Sequence, residues 1–144
     1  MDPKGTDWTK YAYADYITPN LKEINQVLAE PVHNEDRAVE VAAHYVMNRF
    51  NIRNVIVTRS EEGLSLIRDD ENVHIPTKAQ EVFDVSGAGD TVIAVFAMGL
   101  AGGMSPADSA YMANLAASVV VAKLGTYAVS REELMAVLKG EAEK

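Results

Sequence analysis

The sequence predicts an α/β fold, a sheet with helices packed on its faces. Three observations carry this. Residues 53–58 contain the continuous β-branched run Val55-Ile56-Val57, the mark of a buried strand. Residues 35–50 place Val39, Ala42, Ala43, Val46, Met47 and Phe50 at helical spacing, a core-facing stripe. The element order is a strand, two helices, a strand, several short strands and then three helices. The chain has 144 residues, 48% of them hydrophobic, so the expectation is one domain, 1–144, with a real core.

The elements follow in order. Asp2-Pro3-Lys4-Gly5 reads as the end of a strand, and residues 15–18 as a short strand. Residues 20–30 form a helix with Leu21, Ile24 and Leu28 on one face, stopped by Pro31. Asn34 is the expected N-cap of the 35–50 helix. Residues 63–67 and 72–75 are short strands joined by the polar turn Arg68-Asp69-Asp70-Glu71, and residues 79–83 are a further strand. A helix starts near Gly87 and stops at Gly102-Gly103. The next has Ser105 as N-cap and Pro106 in its first turn. Its body, residues 110–122, is apolar nearly all round and is expected to be buried throughout. A last helix opens on the capping box Ser130-x-x-Glu133 and packs Leu134, Val137 and Leu138.

Composition excludes several classes. Thirteen basic and 21 acidic residues give a net charge of −8, which argues against a nucleic-acid partner. There is no cysteine, so no disulfide or thiolate metal site. The N-terminus has no apolar signal core, and the apolar stretch 91–104 is too short and too rich in glycine for a membrane helix. A cytoplasmic protein without membrane contact is expected. His33, His44 and His74 lack metal-ligand spacing and read as surface or satisfied-core residues. Trp8, Tyr11, Tyr13 and Tyr16 read as packing residues.

The chemistry concentrates in Asp84-Val85-Ser86-Gly87-Ala88-Gly89-Asp90-Thr91, which follows a strand and opens a helix. Glycines at 87 and 89 let another group approach the backbone. The free N–H groups and dipole of a first helical turn favour an anion there. A transferred phosphoryl group suits such a cradle, since its catalysis is largely positioning and charge stabilisation. Asp90 reads either as a base that takes the proton of an attacking hydroxyl, or as a complement to the helix dipole.

The segment from Asp84 to Asp90, followed by a helix of small apolar residues, resembles the second signature of the ribokinase-like (phosphofructokinase B-type) carbohydrate kinases. Asn20-Leu21-Lys22-Glu23 resembles the family's Asn-x-x-Glu motif. Residues 58–63 stand where the family has its strand-end threonine and nucleotide loop. Met112-Ala113-Asn114-Leu115-Ala116-Ala117 resembles the helix beside the adenine. Within the family the chain is most similar to the heptose 7-phosphate kinases of ADP-heptose and lipopolysaccharide biosynthesis. Asp2-Pro3-Lys4-Gly5, residues 17–23, residues 84–94, and Lys123-Leu124-Gly125-Thr126 with residues 129–134 carry that likeness.

The resemblance implies a three-layer α/β/α fold with a partly parallel sheet, present only as its C-terminal half. It implies an ATP-dependent transfer to a hydroxyl of a sugar or sugar phosphate, with Asp90 as base. The backbone of Gly87, Ala88 and Gly89 would form the anion hole. Asn20 and Glu23 would organise Mg²⁺ and phosphates through water; the same two residues also read as a capping-box pair. Thr58 and Gly63 would lie along the nucleotide, and Asn114 near the adenine or ribose. Asn114 reads equally as a helix-surface amide. Lys4 would reach toward the ATP phosphates, or is a solvated lysine. A monovalent cation is a further implied cofactor. Three departures stand out: Ser60 in place of a frequent glycine, Val95 in place of a small residue, and Ser86 in place of threonine.

Kinases of this family are about twice this long. The glycine-rich first signature and most of the sugar pocket have no counterpart among these residues. The expectation is therefore self-association or pairing with a separate N-terminal kinase half, because half a sheet leaves an edge and apolar surface uncovered.

Overall fold

The computed structural model describes residues 3–76 and 88–121. The chain falls into two units, Met1–Ile75 and Pro76–Lys144.

In the first unit, Trp8 is fully buried and its indole N–H donates to Gly5 O at 3.1 Å. A single 3-10 turn, Thr9–Tyr11, follows. Residues 15–20 then run along the sheet edge. The expected strand at 15–18 is realised only as isolated parallel bridges, Ile17 to Val55 and Asn20 to Thr58. Pro19 accounts for this: its carbonyl accepts from Thr58 N–H at 3.0 Å, but it has no N–H to return.

Helix α1 is Leu21–Asn25, far shorter than the expected 20–30. Beyond it the bonds tighten to three-residue spacing, Val27 N–H to Ile24 O and Leu28 N–H to Asn25 O. The Asn25 side chain accepts from Val32 N–H at 3.0 Å and donates to Val32 O at 3.4 Å, so the chain turns before Pro31. The apolar face survives: Ile24 is buried, and Leu21 and Leu28 pack against the same core.

Helix α2 is Asp36–Phe50, and all six residues of its expected stripe are buried. Asn34 does not cap it. Glu35 occupies the cap position without a side-chain bond, and the Asn34 amide is turned to Arg59 instead. Strands β1 (Val55–Thr58), β2 (Leu64–Ile67) and β3 (Asn72–Ile75) form an antiparallel sheet in that order. The register pairs Val55 with Ile67 and Leu64 with Ile75. With the parallel bridges on the other edge of β1, the sheet is mixed. Trp8, Ile17, Ile24, the α2 stripe, Val55, Val57 and Ile67 make one core. Tyr11 and Tyr16 are half-buried, but Tyr13 does not pack: it is 74% exposed, on a backbone with φ of 66° whose N–H reaches Asn51 O.

In the second unit, helix α3 is Ala88–Ala101 and helix α4 is Pro106–Val121. Gly102 and Gly103 end α3 as expected; Gly103 has φ of 89°, open to glycine at little cost. Ser105 caps α4, its hydroxyl accepting from Asp108 N–H at 3.1 Å. The helices come close at Gly99, where a Cβ would stand 2.5 Å from Ser109 Oγ. Val92, Val95 and Phe96 of α3 are buried, as are Ala110, Ala113, Leu115 and Ala116 of α4. The larger valine at 95 is thus accommodated. Helix α4 is not buried all round, because Tyr111 is exposed and residues 117–119 are half-buried. No helix among the described residues is long and apolar enough to cross a membrane. The expected strand at 79–83 and the helix opening at Ser130 lie outside the described residues.

Candidate functional site

The first unit gathers Lys4, Asn20, Glu23 and Thr58. Asn20 stands at the N-terminus of α1 because its side chain satisfies a free N–H there. Its Oδ1 accepts from Glu23 N–H at 2.7 Å, and Glu23 Oε2 accepts from Asn20 N–H at 2.8 Å. The capping box read from the spacing is therefore complete. Lys4 Nζ lies 2.8 Å from Glu23 Oε1, so Lys4 is tied to the motif rather than merely solvated. Thr58, at the end of β1, is bridged to Asn20.

This donor set bears on the implied Mg²⁺. Both Glu23 oxygens already hold hydrogen-bond donors. Among the described residues no three His, Asp or Glu side chains gather as a metal-ligating group. The residues fit a hydrated cation held through water, which magnesium prefers, and not a direct all-protein cage.

Between Thr58 and Gly63 the chain makes one 3-10 turn, Ser60–Glu62. Arg59 N–H donates to Gly63 O at 2.8 Å and closes the loop. Gly63 is buried with φ of 84° and ψ of −128°, a region that only glycine enters freely. Ser60, where a glycine is frequent, sits at φ of 52°. Arg59 itself, which no sequence pattern singles out, is 2% exposed. Its guanidinium lies 2.7 Å from Asp36 Oδ1, and this bond holds the Asp36 carboxyl below the usual carboxylate range. His74, expected to be a surface or satisfied-core residue, is half-buried with both ring nitrogens partnered in the same cluster: Nε2 lies 2.7 Å from Glu40 Oε1 and Nδ1 lies 2.7 Å from Ser65 Oγ. The bond from His74 lowers the pKa of Glu40. His44 makes only a side-chain bond to Asn72. No local signal announces the Arg59 cluster, since its partners come from α2, β2 and β3.

The second unit carries Gly89, Asp90 and Asn114. Gly89 and Asp90 lie exposed in the first turn of α3, and nothing stands within 4 Å of where a Gly89 Cβ would be. An acidic residue in that turn also complements the helix dipole. The backbone of Ala88 opens the helix, and Gly87 lies outside the described residues. Asn114 is not a helix-surface amide. It is 5% exposed, and its Nδ2 donates to Pro76 O at 2.8 Å.

Residues 2–133 match the model of the pfkB family of carbohydrate kinases. The bifunctional protein HldE of Trichlorobacter lovleyi is 48% identical over 142 residues, which are 98% of this chain and 29% of that protein. The HldE protein of Sodalis glossinidius is 46% identical over 144 residues, 30% of its length. The chain thus spans less than a third of the curated relatives it matches. Among solved structures, a ribokinase from Thermotoga maritima superposes with a TM-score of 0.83 at 32% identity, over 96% of this chain and 48% of that one. Phosphofructokinase-2 from Escherichia coli superposes with a TM-score of 0.84 at 17% identity, a likeness of fold. The motif at the start of α3, the mixed sheet and these matches agree: the chain belongs to the pfkB family of carbohydrate kinases and carries part of their ribokinase-like fold.

Proposed function

We propose that the chain is the nucleotide side of an ATP-dependent sugar kinase that phosphorylates a hydroxyl of a sugar phosphate, heptose 7-phosphate by its likeness to the heptose branch. The observation that carries this is the first turn of α3, where Gly89 leaves the backbone open beside an exposed Asp90. Asp90 accepts the proton of the acceptor hydroxyl as its oxygen bonds to the γ-phosphorus of ATP and ADP leaves. Backbone N–H groups of Gly87, Ala88 and Gly89 stabilise the charge that develops on the transferred group. Thr58 and Gly63 flank the nucleotide, and Asn114 lies toward its adenine or ribose. Asn20 and Glu23 hold the hydrated Mg²⁺, with Lys4 beside them reaching the phosphates. When bound, Mg²⁺ neutralises phosphate charge.

In this reading both units belong to one domain, since a single family model runs across them. The working chain is cytoplasmic and self-associates or pairs with an N-terminal kinase half. A second reading is favoured by the 29% share of the HldE protein that the chain spans: a nucleotide-binding module that is silent by itself.

The test is calorimetry with Mg-ATP and a coupled assay over a panel of sugar phosphates, on wild type and Asp90→Asn. The kinase reading expects Asp90→Asn to keep Mg-ATP affinity and lose about 10²–10⁴-fold in turnover, the usual contribution of a general base. Turnover that survives the substitution removes Asp90 as the base. Binding without turnover in wild type selects the silent module.

A further inference from the structure

Arg59 is a buried cation for which the proposed chemistry has no use. Its Nε donates to Asn34 Oδ1 at 2.7 Å, and its Nη1 donates to Asp36 Oδ1 at 2.7 Å and to Ser65 Oγ at 3.0 Å. Its backbone carbonyl accepts from Asn34 Nδ2 at 3.1 Å. One residue is thus fixed, through main chain and side chain, to the segment entering α2 and to the middle of β2. A second tier backs it. Ser65 Oγ lies 2.7 Å from His74 Nδ1, and His74 Nε2 lies 2.7 Å from Glu40 Oε1. A continuous run of hydrogen bonds thus links Arg59 through Ser65 and His74 to Glu40.

The carboxylate that pairs with Arg59 is 63% exposed and screened by solvent, and burying the guanidinium itself carries a desolvation cost, so stability alone is a weak reason for this cluster. What a planar guanidinium supplies is fixed geometry, because its donors leave in set directions. The loop it roots needs that. Ser60 holds φ of 52° without being glycine, and Gly63 holds φ of 84°, within one tight turn. Non-glycine residues in such conformations persist only where the surroundings hold them.

We propose that Arg59 is the positioning residue of the nucleotide loop, clamping residues 60–63 from inside in the shape that receives ATP. Arg59 touches no substrate and acts through the loop backbone. This rests on the reading of residues 58–63 as the nucleotide loop.

The test compares Mg-ATP affinity by calorimetry, and the thermal midpoint, for the full chain and three variants. Arg59→Lys keeps the charge and loses the fork. Asp36→Asn loosens the same clamp from an exposed partner and covers the case in which Arg59→Lys fails to fold. Val46→Ala, in the α2 stripe, lowers stability without touching the cluster. The expected result is affinity weaker by about tenfold for Arg59→Lys and by about threefold for Asp36→Asn, with Val46→Ala unchanged, because only the first two remove directed bonds. Unchanged affinity in both clamp variants overturns the proposal and leaves the kinase reading standing. Equal weakening in Val46→Ala also overturns it, since the role is then only structural. A wild type that binds no Mg-ATP overturns both readings.

Discussion

Residues whose partners lie close in the chain can be paired by spacing alone. Asn20 and Glu23 are three apart, and the box they form is the one their spacing describes. Ser105 caps α4 for the same reason. Arg59 carries no such signal, because its partners stand 6 to 25 residues away and converge only when α2 packs on the sheet. The cap expected at Asn34 fails for the same cause: its amide has a better partner in Arg59 than in the first turn of α2. The cluster predicts an acid response. Hydrogen bonds from Arg59 and from His74 hold the Asp36 and Glu40 carboxyls below their ordinary values. A carboxyl with a lowered folded-state pKa stabilises the fold above its unfolded value of about 4 and loses that contribution as the pH falls through its folded value. The Asp36 side chain is 63% exposed, so solvent screens its share to at most about 1 kcal/mol. Urea midpoints measured from pH 6 to pH 3 should fall less steeply in Asp36→Asn and Glu40→Gln than in wild type. Parallel slopes would show that neither bond stabilises the fold.

Elements set by an apolar period follow the sequence closely, and elements set by side-chain competition do not. Helix α2 follows its stripe to the last residue, and β3 matches its expected limits. Helix α1 is short because the Asn25 amide captures the Val32 backbone, an exchange no helical period reveals. The strand expected at 15–18 dissolves into two bridges because Pro19 interrupts the pairing. The crossing of α3 and α4 offers a sharp test at this scale. A Cβ on Gly99 would lie 2.5 Å from Ser109 Oγ, 2.9 Å from its Cβ and 3.2 Å from its Cα. The last of these is backbone, so the helices themselves must part. Gly99→Ala should cost about 1–3 kcal/mol, the usual penalty of overpacking. Ser109 Oγ is buried and has no hydrogen-bond partner among the described residues. Ser109→Ala should therefore be neutral or stabilising by up to about 1 kcal/mol, since it removes an unsatisfied hydroxyl. Thermal melts of both variants check the pair, and destabilisation by Ser109→Ala would mean that the hydroxyl has found a partner.

At the scale of the whole molecule, the fold class is legible because the strand and helix periods are local, and the family because its motif is contiguous from Asp84 to Asp90. What no period supplies is the acceptor side of the proposed reaction. The matched span is 48% of the Thermotoga ribokinase and 29% of the Trichlorobacter HldE protein, so about half of the ribokinase fold has no counterpart in these residues. Binding and turnover separate on that basis. The residues assigned to ATP, Lys4, Asn20, Thr58, Gly63 and Asn114, all lie within the 144. In the proposed mechanism rate depends on holding the acceptor hydroxyl against Asp90, and orientation of that kind supplies on the order of 7–11 kcal/mol of barrier reduction. A polypeptide of these residues alone should bind Mg-ATP and phosphorylate sugar phosphates orders of magnitude more slowly than the same chain mixed with a polypeptide covering the unmatched part of an HldE relative. Calorimetry gives the first quantity and a coupled ADP assay the second. Equal turnover with and without the added polypeptide would place the acceptor site within these residues, and sedimentation would then show whether a second copy completes it.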